Sequence, residues 1–317
     1  MRVLFVSDTH IGIDWPTRPR VERRRRGDDF FDNFERALAV AHQGEVDAVV
    51  HGGDLLYRSR VPAWVSEAAL APLRRVAAAG VPVLLVPGNH ERSRMPHPLF
   101  AIEDGLYIFD RPRTVVIARR GVRAAFVGFP YARDVRQQFR DLVAQARRDV
   151  IIDGARDADG SCAAAADRGK GANAVGVDGG EGVDLRVLCL HHCIEGATCG
   201  PGNYVFRSGA DVIRCVDLPP DVAVTLSGHI HRHQVLHPVG RGPVIYAGSV
   251  ERTSFAEAPE TKGFVILELT RDGLGSMAFR PLPARPMVAP IRTHGHFDLK
   301  RRLKMRRSEG EGDLPIV

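Results

Sequence analysis

The sequence predicts an α/β fold, and three observations carry that prediction. Short apolar runs alternate with helical patterns through the first half, those runs end in Gly, Asp or Asn, and the second half is a succession of β-type runs. Such alternation places strands between helices. The polar strand ends matter because sites in open α/β sheets gather at the carboxyl ends of strands.

The elements follow in order. "RVLFVSD" opens the chain as a strand, an amphipathic helix is expected from Phe30 to Ala41, and "DAVVHGGD" forms the next strand. A helix over Ala63 to Ala78 leads to the strand "VPVLLVPGN". "RTVVIA" and "VRAAFVGF" read as a hairpin turning at Arg119, Arg120 and Gly121, and a helix is expected from Val135 to Val150. Residues 153–184 are dominated by Gly, Ala and Asp, too poor in apolar side chains to pack, and read as a disordered surface insertion. Strand patterns resume with "LRVLCLHH", "VAVTLSGH", "HQVLHPV", "PVIYAGS" and "GFVILEL". The expected organisation is one domain over residues 1–287, followed by a short charged tail at 288–317 that is exposed or forms one basic helix.

Composition bounds the function. The chain has 317 residues, 44% hydrophobic and 26% charged, as in an ordinary globular protein. No apolar run approaches the ~20 residues of a membrane span, so a cytoplasmic protein is expected. Five cysteines without a CxxC pair argue against a disulfide framework or a thiolate zinc site. A net charge of +6 and a pI near 9.3 suit an acidic partner such as nucleic acid. Only four of the 44 basic residues are lysines, however, and so strong an arginine skew also fits codon bias.

Five segments carry the chemistry: "SDTHIG" (Asp8, His10), "HGGDLLYR" (Asp54), "PGNHE" (Asn89, His90, Glu91), "LCLHHC" (His191, His192) and "SGHIHRH" (His229, His231). Each sets an oxygen or imidazole ligand at the end of a predicted strand, four of them beside a glycine that lets the backbone turn sharply. Taken singly, Asp8 or Asp54 reads equally well as a helix cap, and Gly88-Asn89 as a turn. Side chains two apart on a strand share a face, so His229 and His231 point together, whereas the adjacent His191 and His192 point apart and only one serves as a ligand. Mixed carboxylate, amide and imidazole donors suit Mn²⁺, Fe²⁺ or Zn²⁺.

The order D-x-H, G-D, G-N-H-E, H, G-H-x-H resembles the signature of the calcineurin-like metallophosphoesterases across residues 1 to about 270. The resemblance implies a four-layer sandwich of two mixed β-sheets flanked by helices, and two divalent metal ions, Mn²⁺ foremost. It implies that Asp8, His10 and His231 hold one ion, that Asn89, His191 and His229 hold the other, and that Asp54 bridges them. It favours His191 over His192. It makes His90 the group that protonates the leaving oxygen or steadies the scissile phosphate, oriented by Glu91, where related sequences usually carry Asp.

"HIG", "GGDLL" and "AGSVERTSFAEAPETKGF" further resemble the SbcD-type DNA repair exonuclease branch. That likeness implies a DNA exonuclease or endonuclease working with an SbcC-type ATPase. Only thirty residues follow Met287, so the ATPase-docking segment is expected to be absent, and a homodimer is left open. Arg58, Arg252 and Asn89 are expected to touch substrate, and Arg18, Arg20 and Arg23 to Arg26 to track a phosphodiester backbone. The alternative is a phosphatase or phosphodiesterase acting on small molecules or phosphorylated nucleic-acid ends.

Overall fold

The computed structural model describes residues 1–15, 26–91, 104–154 and 182–287, with the backbone of Arg292–Thr293 and His296–Phe297. Four parallel strands, β1 (Arg2–Val6), β2 (Ala48–His51), β3 (Val83–Leu85) and β4 (Leu106–Ile108), form one side of the first sheet. The hairpin β5 (Arg113–Arg119) and β6 (Val122–Gly128) starts the second, with β7 (Val150–Ile152), β8 (Leu185–Leu190), β9 (Val224–Ser227), β10 (Gln234–Leu236) and β11 (Val244–Tyr246). The chain then returns to the first sheet through β12 (Gly263–Thr270) and β13 (Gly273–Pro281). The first sheet runs β13-β12-β1-β2-β3-β4, and the second β10-β11-β9-β8-β6-β5-β7. Both are mixed.

The period of two along each strand builds the layers. In β1, Leu4 and Val6 face α1 (Arg26–His42) and α2 (Ala63–Ala78), while Val3 and Phe5 face the other sheet. A strand buried on both faces reads as an unbroken apolar run, which is what "VLFV" is. On α1, Phe30, Phe34, Ala37, Leu38 and Ala41 form one stripe at helical spacing. Between the sheets, Phe5, Val50 and Leu84 meet Phe126, Val187 and Leu226. Outside the second sheet, Phe139 and Val143 of α3 (Val135–Ala146) pack near Leu188 and Tyr246. Helix, sheet, sheet, helix is thus the order of layers, as expected.

Several expectations are refined. The hairpin turns on Arg120 and Gly121, both at positive φ, as a two-residue loop requires. The third helix stops at Ala146 instead of Val150, because Val150–Ile152 pairs in parallel with β5; a β-branched run beside an open strand edge favours extension. Leu106–Ile108 and Gly273–Pro281 were not anticipated either. Leu106–Ile108 is only three residues long, and Gly273–Pro281 is glycine-rich and mostly exposed, so neither carries a clear alternation. Residues 155–181 of the expected insertion lie outside the described residues, as does most of the tail, though Arg292–Thr293 pairs with His296–Phe297 as a short β-ladder where a helix was one expectation. Among the described residues no helix is long and apolar enough to cross a membrane.

Candidate metal centre

Because β1, β2 and β3 run parallel, their carboxyl ends lie on one edge of the first sheet; β8 and β9 do the same in the second. The five segments leave from these ends. Asp8 and His10 follow β1, Asp54 follows β2, Asn89 and His90 follow β3, His191 follows β8, and His229 and His231 follow β9.

The local backbone is bent to bring them together. Asp8, His10, Asp54 and His229 all have positive φ, between 45° and 82°. For non-glycine residues this region is uncommon and costs about 1–3 kcal/mol each, so the surroundings must hold them there. They do: Asp8 N–H donates to the Gly53 carbonyl (2.9 Å), His10 N–H to that of Asp54 (3.0 Å), and His229 N–H to the Asp8 carboxylate (3.1 Å). Gly53, at φ 99°, admits no side chain, because a Cβ there would overlap the His191 ring. At Gly88 a Cβ would overlap the Asp54 carboxylate.

Two constellations result. In the first, His10 Nε2 lies 3.0 Å from His231 Nε2, and Asp8 Oδ1 lies 3.9 Å from the same His231 nitrogen. In the second, Asn89 Oδ1 lies 3.0 Å from His191 Nε2 and 2.9 Å from His229 Nδ1. Asp54 stands between them, grouped with Asp8 and His191 on one side and with His10 and His90 on the other, each group having ligand atoms within 4.8 Å.

The ring tautomers suit ligation. His191 donates Nδ1–H to the Gly52 carbonyl (2.7 Å), which leaves its Nε2 lone pair facing the site. His231 Nδ1 lies 3.1 Å from both the Glu257 carboxylate and the Thr253 hydroxyl, so its Nε2 is likewise left for a ligand. Burial, then neighbouring His231, hold the His10 imidazolium well below the ordinary histidine range; burial, then His191, push His229 down to about 3. Burial works against charge on Asp54, yet His191, with His10 and His90, holds that carboxyl well below the usual carboxylate range. Burial likewise opposes a charge on His191, but Asp54 and Asp8 raise it to about 9. Asp54 foremost, with Asp8, whose own carboxyl burial pushes up, thus draws a positive charge into the site, a demand that a divalent cation also meets. Oxygen from Asp8, Asp54 and Asn89 and nitrogen from four histidines form a donor set fitting such ions.

His90 stands at the mouth of the site, about a third exposed. Its Nδ1 is 2.5 Å from the Tyr57 carbonyl, its Nε2 is 3.7 Å from Asp54 Oδ2, and its N–H donates to Asp54 Oδ1 (2.9 Å).

Three sequence expectations change. Glu91 does not orient His90, because its buried carboxylate turns away to accept the N–H groups of Asp54 (3.1 Å), Leu56 (2.8 Å) and Gly88 (2.8 Å). It staples the β2 and β3 loops, and burial followed by the nearby Asp54 charge pushes it up to about 8. Glu91→Ala would strand three buried donors at about 1–3 kcal/mol each before relaxation, so a loss of about 3 kcal/mol or more in urea unfolding is expected. Arg252 is turned toward the protein, its guanidinium donating to the carbonyls of Glu260 (3.2 Å) and Arg285 (3.1 Å). Of the arginine cluster only Arg26 is described, and it donates to the Arg252 carbonyl. His233, next after His231 in the every-second-residue rhythm, plays a structural part, donating Nδ1–H to the Tyr246 carbonyl (2.8 Å) and stacking on Phe279.

Arg58 is exposed, over the Tyr57 ring near His90. His192 points away from His191, packing on Phe129 and Tyr131 and accepting the Ala132 N–H at 3.3 Å. The residues sequence reasoning missed are Thr253, Glu257 and Lys262, which lie behind His231. All three sit in the quoted "VERTSFAEAPETKGF" block, but nothing in that pattern gives their distance to a histidine more than twenty residues earlier.

Residues 1–233 match the family model for the calcineurin-like phosphoesterases. The chain belongs to that family. Calcineurin-like phosphoesterases are metal-dependent hydrolases with a dinuclear divalent site, and the convergent donors described above are candidates for it. Among curated proteins this phosphoesterase is 46% identical over 93 residues to the DNA double-strand break repair protein Mre11 of Haloferax volcanii, covering 29% of this chain and 20% of the relative. It is 28% identical over 290 residues to Mre11 of Methanosarcina mazei, covering 90% of this chain and 39% of the relative. The chain therefore spans well under half the length of these relatives. A Staphylococcus aureus structure assigned as a 5′-nucleotidase superposes with a TM-score of 0.50 at 13% identity, covering 98% of this chain and 58% of that one, a likeness of fold alone.

Proposed function

We propose that this phosphoesterase is a manganese-dependent nuclease that hydrolyses DNA phosphodiesters in repair. The observation carrying the reading is the alignment with an Mre11 protein over nearly the whole chain, on a site whose seven candidate donors converge. In this reading Asp8, His10 and His231 hold one ion, Asn89, His191 and His229 the other, and Asp54 both. When bound, such a pair lowers the pKa of a water and clamps the phosphoryl group.

The rest is work for the chain's own groups. Tyr57's carbonyl fixes the His90 ring through Nδ1–H, so Nε2 is the atom that delivers a proton to the leaving oxygen. Asp54 accepts the His90 N–H and so ties the acid to the carboxylate at the centre of the site. Glu91 keeps the two loops bearing those residues in register. Exposed Arg58 beside this edge is positioned to meet a phosphate outside the scissile bond.

The test compares end-labelled single- and double-stranded DNA with an aryl phosphate ester, each with Mn²⁺ and after chelation. DNA cleavage that requires Mn²⁺, with long DNA inhibiting aryl ester turnover, is expected. Efficient aryl ester turnover without DNA cleavage or competition would replace the reading with a small-molecule phosphatase.

A further inference from the structure

Lys262 has a fully buried side chain, an expensive place for an ammonium group unless each proton finds an acceptor. Its Nζ lies 2.6 Å from Glu257 Oε2, 2.8 Å from Glu260 Oε2 and 2.8 Å from the His231 backbone carbonyl. Glu257 uses its other oxygen on His231 Nδ1 at 3.1 Å, and Thr253 sits against both, its hydroxyl bonded to Glu257 and 3.1 Å from the same ring nitrogen. His231 is therefore gripped at its ring and at its backbone by one buried network. Apolar side chains of similar volume would hold a loop at least as well, because a buried ion pair is rarely the more stable solution. What such side chains could not do is fix the tautomer of the imidazole.

We propose that Glu257 is a positioning residue for the His231 donor nitrogen, itself held by Lys262 and Thr253, and that this network sets the affinity of the Asp8–His10–His231 metal position alone. The inference rests on the dinuclear reading of the site. A carboxylate on Nδ1 holds that proton in place and makes Nε2 the better donor, an effect typically worth 10–100-fold in metal affinity. His191, in the other constellation, has only the neutral Gly52 carbonyl on its Nδ1. The two positions are thus built unequally, and Glu257 is the source of the difference.

Titration of Mn²⁺ into chelator-treated full chain, followed by calorimetry, reads this directly, with thermal unfolding of the same samples checking the fold. In Glu257→Gln one of two binding events is expected to weaken by about 10–100-fold while the other stays within about twofold. A folded variant with both affinities unchanged, or with both weakened equally, would overturn the proposal. Should that variant fail to fold, Thr253→Val decides. Selective weakening of one event by several-fold supports the network, and an unaltered isotherm overturns it. DNA cleavage by the wild type is scored separately. Its absence sinks the nuclease reading while selective weakening still stands, and its presence beside an unaltered Glu257→Gln isotherm sinks only this inference.

Discussion

Asp54→Asn is expected to lower phosphodiester hydrolysis by about a thousandfold or more, because it neutralises a carboxylate that groups with His10 of the first constellation and with His191 of the second. A metal pair that clamps a phosphoryl group supplies several kcal/mol to the transition state, and each 1.36 kcal/mol is about tenfold in rate. The amide oxygen can still accept the His90 N–H, now 2.9 Å from Asp54 Oδ1, so the fold should survive and the loss should appear in kcat. A second readout follows from the charge. Burial alone would depress His191, and Asp54, the foremost of the groups that oppose it, with Asp8 and the Gly52 carbonyl, lifts it to about 9. Taking the carboxylate away should bring the His191 titration down, which histidine NMR of chelated protein would register. Wild-type turnover in Asp54→Asn, with an unshifted His191, would remove Asp54 from the centre of the site.

His90→Ala should cost about 10²- to 10⁴-fold in rate while leaving the number of bound metals unchanged. The ring contributes to the site through Nε2, and its remaining polar contact is the Tyr57 carbonyl, so truncation disturbs little else. The size of the loss should depend on the leaving group. An alkoxide leaving oxygen needs a proton, so DNA cleavage should fall furthest. A nitrophenolate leaves readily without one, so hydrolysis of its phosphodiester should fall much less. Equal losses on both substrates would assign His90 to binding and not to proton delivery, and steady-state kinetics on the pair decides between them.

Much of this site was legible because the order of its segments is written in the sequence. The sequence expectation that His229 and His231 join one site while His191 and His192 part is met, but by the loops past β9 and β8, with His229 at positive φ, and not by alternation along a strand. The layers were legible because Leu4 and Val6 against Val3 and Phe5 is a period of two written in sequence. What could not be read depends on contacts across long separations. Glu91 looked like a partner of its neighbour His90, but its oxygens serve N–H groups on the preceding loop as well as Gly88. Arg252 looked like a phosphate contact because it is basic and near the motifs, yet its guanidinium is turned to the carbonyls of Glu260 and Arg285. Glu257 and Lys262 carry no periodicity at all, and only the return of the chain to the first sheet through β12 brings them behind His231. The exposed strand β13 was missed because an outward, glycine-containing edge has little apolar pattern to show.

In the proposed centre, five strand-end segments hold two divalent ions joined by Asp54. A crystal of the chain soaked in Mn²⁺, with anomalous scattering recorded near the manganese edge, tests it most directly. The account predicts two peaks, one among Asp8, His10 and His231 and the other among Asn89, His191 and His229, with the Asp54 carboxylate touching both. A single peak, or two peaks of which either lies out of reach of Asp54, would contradict it.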